Sequence, residues 1–216
     1  MRPDTRPAHA VGRCPAAPVD MRHRERGTSL LEMLIYLALV GSLAVVGVPP
    51  LLRISAQRRL ELAAAEVRSA MYLARSIAIR HGVNAAVKFR LEDGQLCYAL
   101  YRDGDGDGVL NADIRSGTDP MHGPTHRLWH AGTDIRFGFP PGRAPRDPGD
   151  PRRRLDRLDD PIRFNASDLA SFDPWGGATP GTAYLTDGHH LMAVRIPGRS
   201  ARVKWLRYDP ILERWN

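Results

Sequence analysis

Cysteine is nearly missing from this chain of 216 residues, which holds only Cys14 and Cys97. Cys14 falls in a segment expected to be removed, leaving one thiol and no possibility of an internal disulfide. An oxidising compartment permits disulfides without demanding them, so this scarcity does not exclude export. Cys97 sits in an alternating apolar run and reads as a buried structural thiol. Also missing are a nucleophile elbow, a phosphate-binding glycine loop and a paired Cys/His metal site, so no familiar catalytic signature is present. The expectation is a protein that is not an enzyme. A large excess of one charge is lacking too. The formal net charge is +7, of which +3 lies in Met1–Gly27, leaving +4 for the remainder. That is too modest to argue nucleic-acid binding by itself.

What is present first is a long uncharged run, Met33 to Leu52 (MLIYLALVGSLAVVGVPPLL). About 20 helical residues match a bilayer core of ~30 Å. A secretory signal would have a shorter apolar core followed by its cleavage site. Here the polar punctuation, Arg26-Gly27, comes before the run. Glu32 lies at the edge of this segment, where a carboxylate needs a partner or a job.

Arg26-Gly27-Thr28-Ser29-Leu30-Leu31-Glu32-Met33-Leu34 resembles the class III signal of type IV prepilins. The resemblance implies cleavage by a prepilin peptidase between Gly27 and Thr28 and N-methylation of Thr28. It also implies a filament-assembly role for Glu32, paired with the terminal amine of a neighbouring subunit. Thr28 stands where Phe or Met is common in that family. Met21–Gly27 would be a complete short basic leader, making Met21 a candidate translation start in place of Met1.

Pro49 and Pro50 close the apolar run, and a kink or a locally melted turn is expected there. Beyond them Leu60, Ala64, Val67, Met71, Ala74 and Ile77 recur at spacings of four and three. They form an amphipathic stripe that Gly82 would end. The expected organisation is a leader over 1–27, a transmembrane half-helix over 28–52, an amphipathic half-helix over 53–82 and a β-rich globular domain over 83–216. The expected fold class is α+β: a long N-terminal helix, membrane-spanning in its first half, packed on an antiparallel β-sheet or sandwich.

After Gly82 the periodicity becomes two. Val87, Phe89 and Leu91, then Leu96, Tyr98 and Leu100, read as a hairpin about Glu92-Asp93-Gly94-Gln95. Asp134–Phe139, Pro161–Phe164, Thr182–Leu185, Leu191–Ile196 and Arg202–Tyr208 are further strand candidates. Pro140 to Asp160 reads as a mobile surface loop. The helix ending AAAEVRSAMYLARSIAIRHG, the hairpin, and FDPWGGATPGTAYL before paired strands resemble the GspH/FimT family of minor pseudopilins and minor pilins. That resemblance implies a structural subunit assisting assembly of a type II secretion pseudopilus, or alternatively a FimT-like minor pilin in pilus biogenesis or DNA uptake. It further implies a single-pass protein of the bacterial inner membrane with a periplasmic C-terminal domain, incorporated into a periplasmic or extracellular filament. The implied partners are other major and minor pseudopilins or pilins, the prepilin peptidase/methyltransferase, the inner-membrane assembly platform, and membrane lipid.

Two patterns carry other chemistry. Asp103, Asp105 and Asp107 alternate with glycine and precede Gly108, Asn111 and Asp113. Oxygen ligands at alternate positions with glycine sixth suit Ca²⁺ in a tight loop. The twelfth position is Ile114, however, so a solvated acidic turn is the competing reading. Near the C-terminus Arg199, Arg202, Lys204 and Arg207 alternate with Trp205 and Tyr208. This is either a nucleic-acid surface, with DNA as partner, or the polar face of a terminal hairpin. His122, His126 and His130 are spaced by four, but Gly123 and Pro124 break the helix that would align them, so they read as a polar loop.

Overall fold

The first element, α1, spans Leu30–His81. The computed structural model describes residues 29–92, 95–128 and 135–216. The strands are β1 (Ala85–Glu92), β2 (Gln95–Arg102), β3 (His126–Arg127), β4 (Arg136–Phe137), β5 (Ile162–Arg163), β6 (Leu169–Phe172), β7 (Gly181–Thr186), β8 (Leu191–Ile196), β9 (Lys204–Asp209) and β10 (Arg214–Trp215). A six-residue helix, α2 (Asn111–Ser116), follows β2. The chain divides into two compact units, Met1–Val46 and Gly47–Asn216.

In the first unit the described residues Leu30 to Leu43 are helical and exposed on every side. The helix assignment continues through Pro49 and Pro50, although neither proline can donate a backbone hydrogen bond. A membrane-spanning first half is not what this helix provides. Among the described residues no helix is long and apolar enough to cross a membrane. Past the prolines the helix turns charged, with Arg53, Arg58, Arg59 and Glu61. The expected fold class is corrected accordingly: α1 is long but not apolar along its length, and two antiparallel sheets make up most of the architecture. The single-pass inner-membrane placement, with the transmembrane and secretion-anchor description attached to it, falls with the same finding.

In the second unit, the four-stranded sheet has the order β3-β2-β1-β6. The other has the order β10-β9-β8-β7-β4, with β5 also pairing β7. β4 and β5 share one edge of β7, β4 opposite Leu185 and Thr186 and β5 opposite Thr182 and Ala183. Every pairing is antiparallel, and β1 meets β2 in register from Ala85↔Arg102 to Glu92↔Gln95.

The core explains why the strands alternate. Leu60, Ala63, Ala64, Val67, Met71, Ala74 and Ile77 of α1 are buried with Val87 and Phe89 of β1 and Leu100 of β2. The same cluster takes Leu185, Met192, Val194 and Ile196 from the other sheet. Alanines along the stripe let the helix lie close against both sheets. Phe89 is the hinge of the aromatic packing, stacked on Phe164 at 5.9 Å and edge-on to Phe137 at 5.4 Å between centroids. The α1 stripe ends at Gly82, whose φ of 68° is open to glycine without penalty and whose N–H returns to the Ala78 carbonyl.

Both outer sheet faces are also covered. On the first, Ala86, Ala99, Tyr101 and Leu169 pack with Val109 and Ile114 from the β2–β3 connection. On the second, Tyr184, Leu191 and Ala193 pack with Leu155, Phe139, Leu206, Tyr208 and Trp215. The segment from Pro140 to Asp160 therefore carries a buried anchor, Leu155, and a bridge between Arg146 and Arg154. Polar composition concealed that anchor, since Leu155 and Leu158 among arginines and prolines show no periodicity.

Candidate functional site

The acidic loop leaves β2 at Asp103, which is buried. Its carboxylate accepts the backbone N–H groups of Asp105, Gly106 and Gly108 at 3.2, 2.6 and 2.9 Å and the Asn84 amide at 2.9 Å. These donors hold its pKa below the ordinary value against the opposing effect of burial. A second carboxylate, Asp119, is 1 % exposed and accepts the N–H of Gly104 at 3.0 Å and of Leu110 at 2.9 Å. The loop is thus stapled at both ends by buried aspartates. Gly104 is required at its position, because a Cβ there would sit 1.9 Å from the Thr118 carbonyl oxygen.

The remaining carboxylates turn outward. Asp105, Asp107 and Asp113 place ligand atoms within 4.8 Å of one another, as do Asp103, Asp105 and Asp119. Desolvation together with repulsion from Asp105, Asp113 and Asp103 raises the Asp107 pKa. The Asn111 amide donates to the Ser167 carbonyl at 3.3 Å. Ile114, in the place of a bidentate acid, packs into the apolar cluster on the outer sheet face. The arrangement can offer a hard cation three carboxylates on one side, while Asp103 shapes the loop. Asp119 went unnoticed in the sequence because its role depends on a return of the chain beside Gly104.

Glu32 stands in the first turn of α1, where a negative charge is favoured by the helix dipole. The Tyr36 hydroxyl, one turn on, donates to its Oε1 at 3.0 Å. Gly27 and Thr28 lie outside the described residues, as do Cys14, Met21 and His130. His122 is exposed, and His126 stacks on Tyr98 at 5.2 Å between centroids.

The basic candidates do not form one surface. Arg199 and Arg202 are exposed in the β8–β9 connection. On β9 the side chains alternate between faces. Lys204 falls with Leu206 and Tyr208 on the outer face. Arg207 falls on the opposite one, 3.9 Å from Glu61 of α1. Trp205 is on the Arg207 side and half exposed, whereas Tyr208 and Trp215 pack together at 5.1 Å.

A stronger charge cluster lies where the sequence offered no motif. Glu213 accepts from Arg143 at 3.0 Å, Arg146 at 3.2 Å and Arg154 at 2.6 and 2.7 Å. Hydrogen bonding from Arg154, with the other two guanidiniums nearby, lowers the Glu213 pKa. No family model, curated protein or solved structure matches the chain.

Proposed function

We propose that this chain is a non-catalytic subunit of a pilin-like filament, a minor pseudopilin assisting assembly of a type II secretion pseudopilus. The observation that carries this reading is the exposed apolar surface of α1 from Leu30 to Leu43. Leu30 is 78 % and Leu43 is 72 % exposed, with Leu31, Met33, Leu34, Ile35, Leu37, Leu39 and Val40 between them. Apolar surface of that extent calls for a partner. In a filament the equivalent helices of neighbouring major and minor subunits cover it. Glu32, the only acid on this stretch, then takes its counter-charge from the amine exposed at Thr28 when a prepilin peptidase cuts after Gly27. The β-rich unit, held by the amphipathic part of α1, supplies the face that meets other subunits.

Two measurements test the reading. Mass spectrometry of the protein from cells holding the peptidase should find a chain beginning at Thr28, and Gly27→Ala should leave it uncut. Glu32→Ala should remove the subunit from filaments while the thermal transition of its β-rich unit stays unchanged. An uncut chain, or normal incorporation of the Glu32 variant, rejects the proposal. The second reading, a FimT-like minor pilin in DNA uptake, is favoured by Arg199 and Arg202, which are exposed and have no carboxylate partner among the described residues. It requires a salt-dependent mobility shift of DNA that is lost in Arg199→Ala and Arg202→Ala.

A further inference from the structure

β8 and β9 place Arg195 directly opposite Lys204. Both side chains fall on the outer face of their sheet, because Ala193 and Leu206, the next pair on that face, belong to the outer cluster. Like charges directly opposite on neighbouring strands are unfavourable, with Cβ atoms roughly 4.5–5.5 Å apart. Among the described residues Arg195 has a single loose counter-charge, Asp147 Oδ1 at 3.7 Å, and that oxygen already accepts the Gly149 N–H. Lys204 has no carboxylate partner among the described residues.

The pair opens onto a hollow of about 270 Å³, rimmed by Pro148, Pro151 and Pro197 and also lined by Arg146. Glu213 is its only acid, and that carboxylate is shared with Arg143 and Arg154 as well as Arg146. The loop presses closely on Arg195: a Cβ on Gly149 would lie 2.5 Å from one of its guanidinium nitrogens. Four cations, Arg146, Arg195, Lys204 and Arg214, therefore line a small space that protein carboxylates leave under-neutralised. The prolines and the pressing loop hold its walls in place.

We propose that this hollow is an oxyanion site, with Arg195 and Lys204 as its principal donors and a phosphoryl group as its ligand. The planar Arg195 guanidinium presents paired donors to such a group, and Lys204 adds a mobile point charge. The group comes either as free phosphate or as a nucleic-acid phosphodiester. The site is independent of the filament reading, since it uses no residue of the apolar helix.

The test uses the full chain in a non-ionic detergent, with thermal unfolding followed at constant ionic strength. Inorganic phosphate at ten times its Kd should raise the Tm by roughly 3–6 °C, a rise not seen with chloride. A short single-stranded oligonucleotide is the second probe. Lys204→Glu should place a carboxylate opposite Arg195, raise the Tm without phosphate, and abolish the response to either probe. Lys204→Ala should weaken binding roughly tenfold, the loss of one charge-assisted contact. A response to phosphate assigns the free anion, and a response to the oligonucleotide alone assigns the phosphodiester. No response to either, or one that survives Lys204→Glu, overturns the site.

Discussion

The Tyr98 hydroxyl donates a 2.7 Å hydrogen bond to Glu66 Oε1, joining the middle of β2 to α1. Tyr98 is buried, so its hydroxyl sits where water is scarce. Burial first, and then the acceptor role of Glu66, push the phenol pKa well above its ordinary value. Tyr98→Phe keeps the ring and removes one bond to a charged acceptor. The expected cost is about 1.5–3 kcal/mol, read from the urea midpoint with an unchanged m-value.

Asp103→Asn should destabilise more than its small change in shape suggests. An amide group would set N–H donors against the donors that now point at one carboxylate oxygen, the Asn84 amide and the Gly108 N–H. About 1–3 kcal/mol is expected for the buried donor left unmet. The pH dependence has a definite sign. Asp103 titrates lower in the folded chain, so its contribution is present above the ordinary aspartate pKa. It is lost as pH falls through the lower folded value, and Asp103→Asn should flatten that part of the acid-stability curve.

Asp107 behaves in the opposite sense. Its raised pKa means that its ionised form opposes folding above that pKa, and the penalty lifts as pH falls through it. Asp107→Asn should therefore raise the Tm at neutral pH, with the difference vanishing in acid. A calcium ion among Asp105, Asp107 and Asp113 would relieve the same repulsion. Calorimetry at millimolar Ca²⁺ separates this from a solvated acidic turn: heat that Asp107→Asn diminishes supports the cation. A flat titration rejects the cation.

Glu213→Gln leaves Arg143, Arg146 and Arg154 facing one another without their shared carboxylate. The Tm should fall, and added salt should recover part of the loss by screening the guanidiniums. Since the Glu213 pKa is lowered, its contribution is present above the ordinary glutamate value and lost as pH falls through the folded one. A variant as stable as the parent at low ionic strength would show that the cluster contributes nothing to folding.

Periodicity in the sequence was enough to place the α1 stripe from Leu60 to Ile77, the β1–β2 hairpin, and β8 in full at Leu191–Ile196. Local alternation reports which face a side chain takes, and that information survives without any partner. α2, β3, β6 and β10 were not legible. β3 and β10 are two residues long, too short for a period, and β6 forms only against β1, which is distant in sequence. The anchor reading rested on the uncharged run from Met33 to Leu52, and it is corrected because among the described residues no helix is long and apolar enough to cross a membrane.

By itself the sequence determined the apolar run with Glu32 at its edge, the switch from helical to strand periodicity after Gly82, and the acidic spacing from Asp103 to Asp113. These are local properties, set by residue type and interval. Only the tertiary structure decided that Asp103 and Asp119 staple the acidic loop and that Arg195 meets Lys204. Each of these depends on strand register or on a distant chain return, and no local interval encodes either.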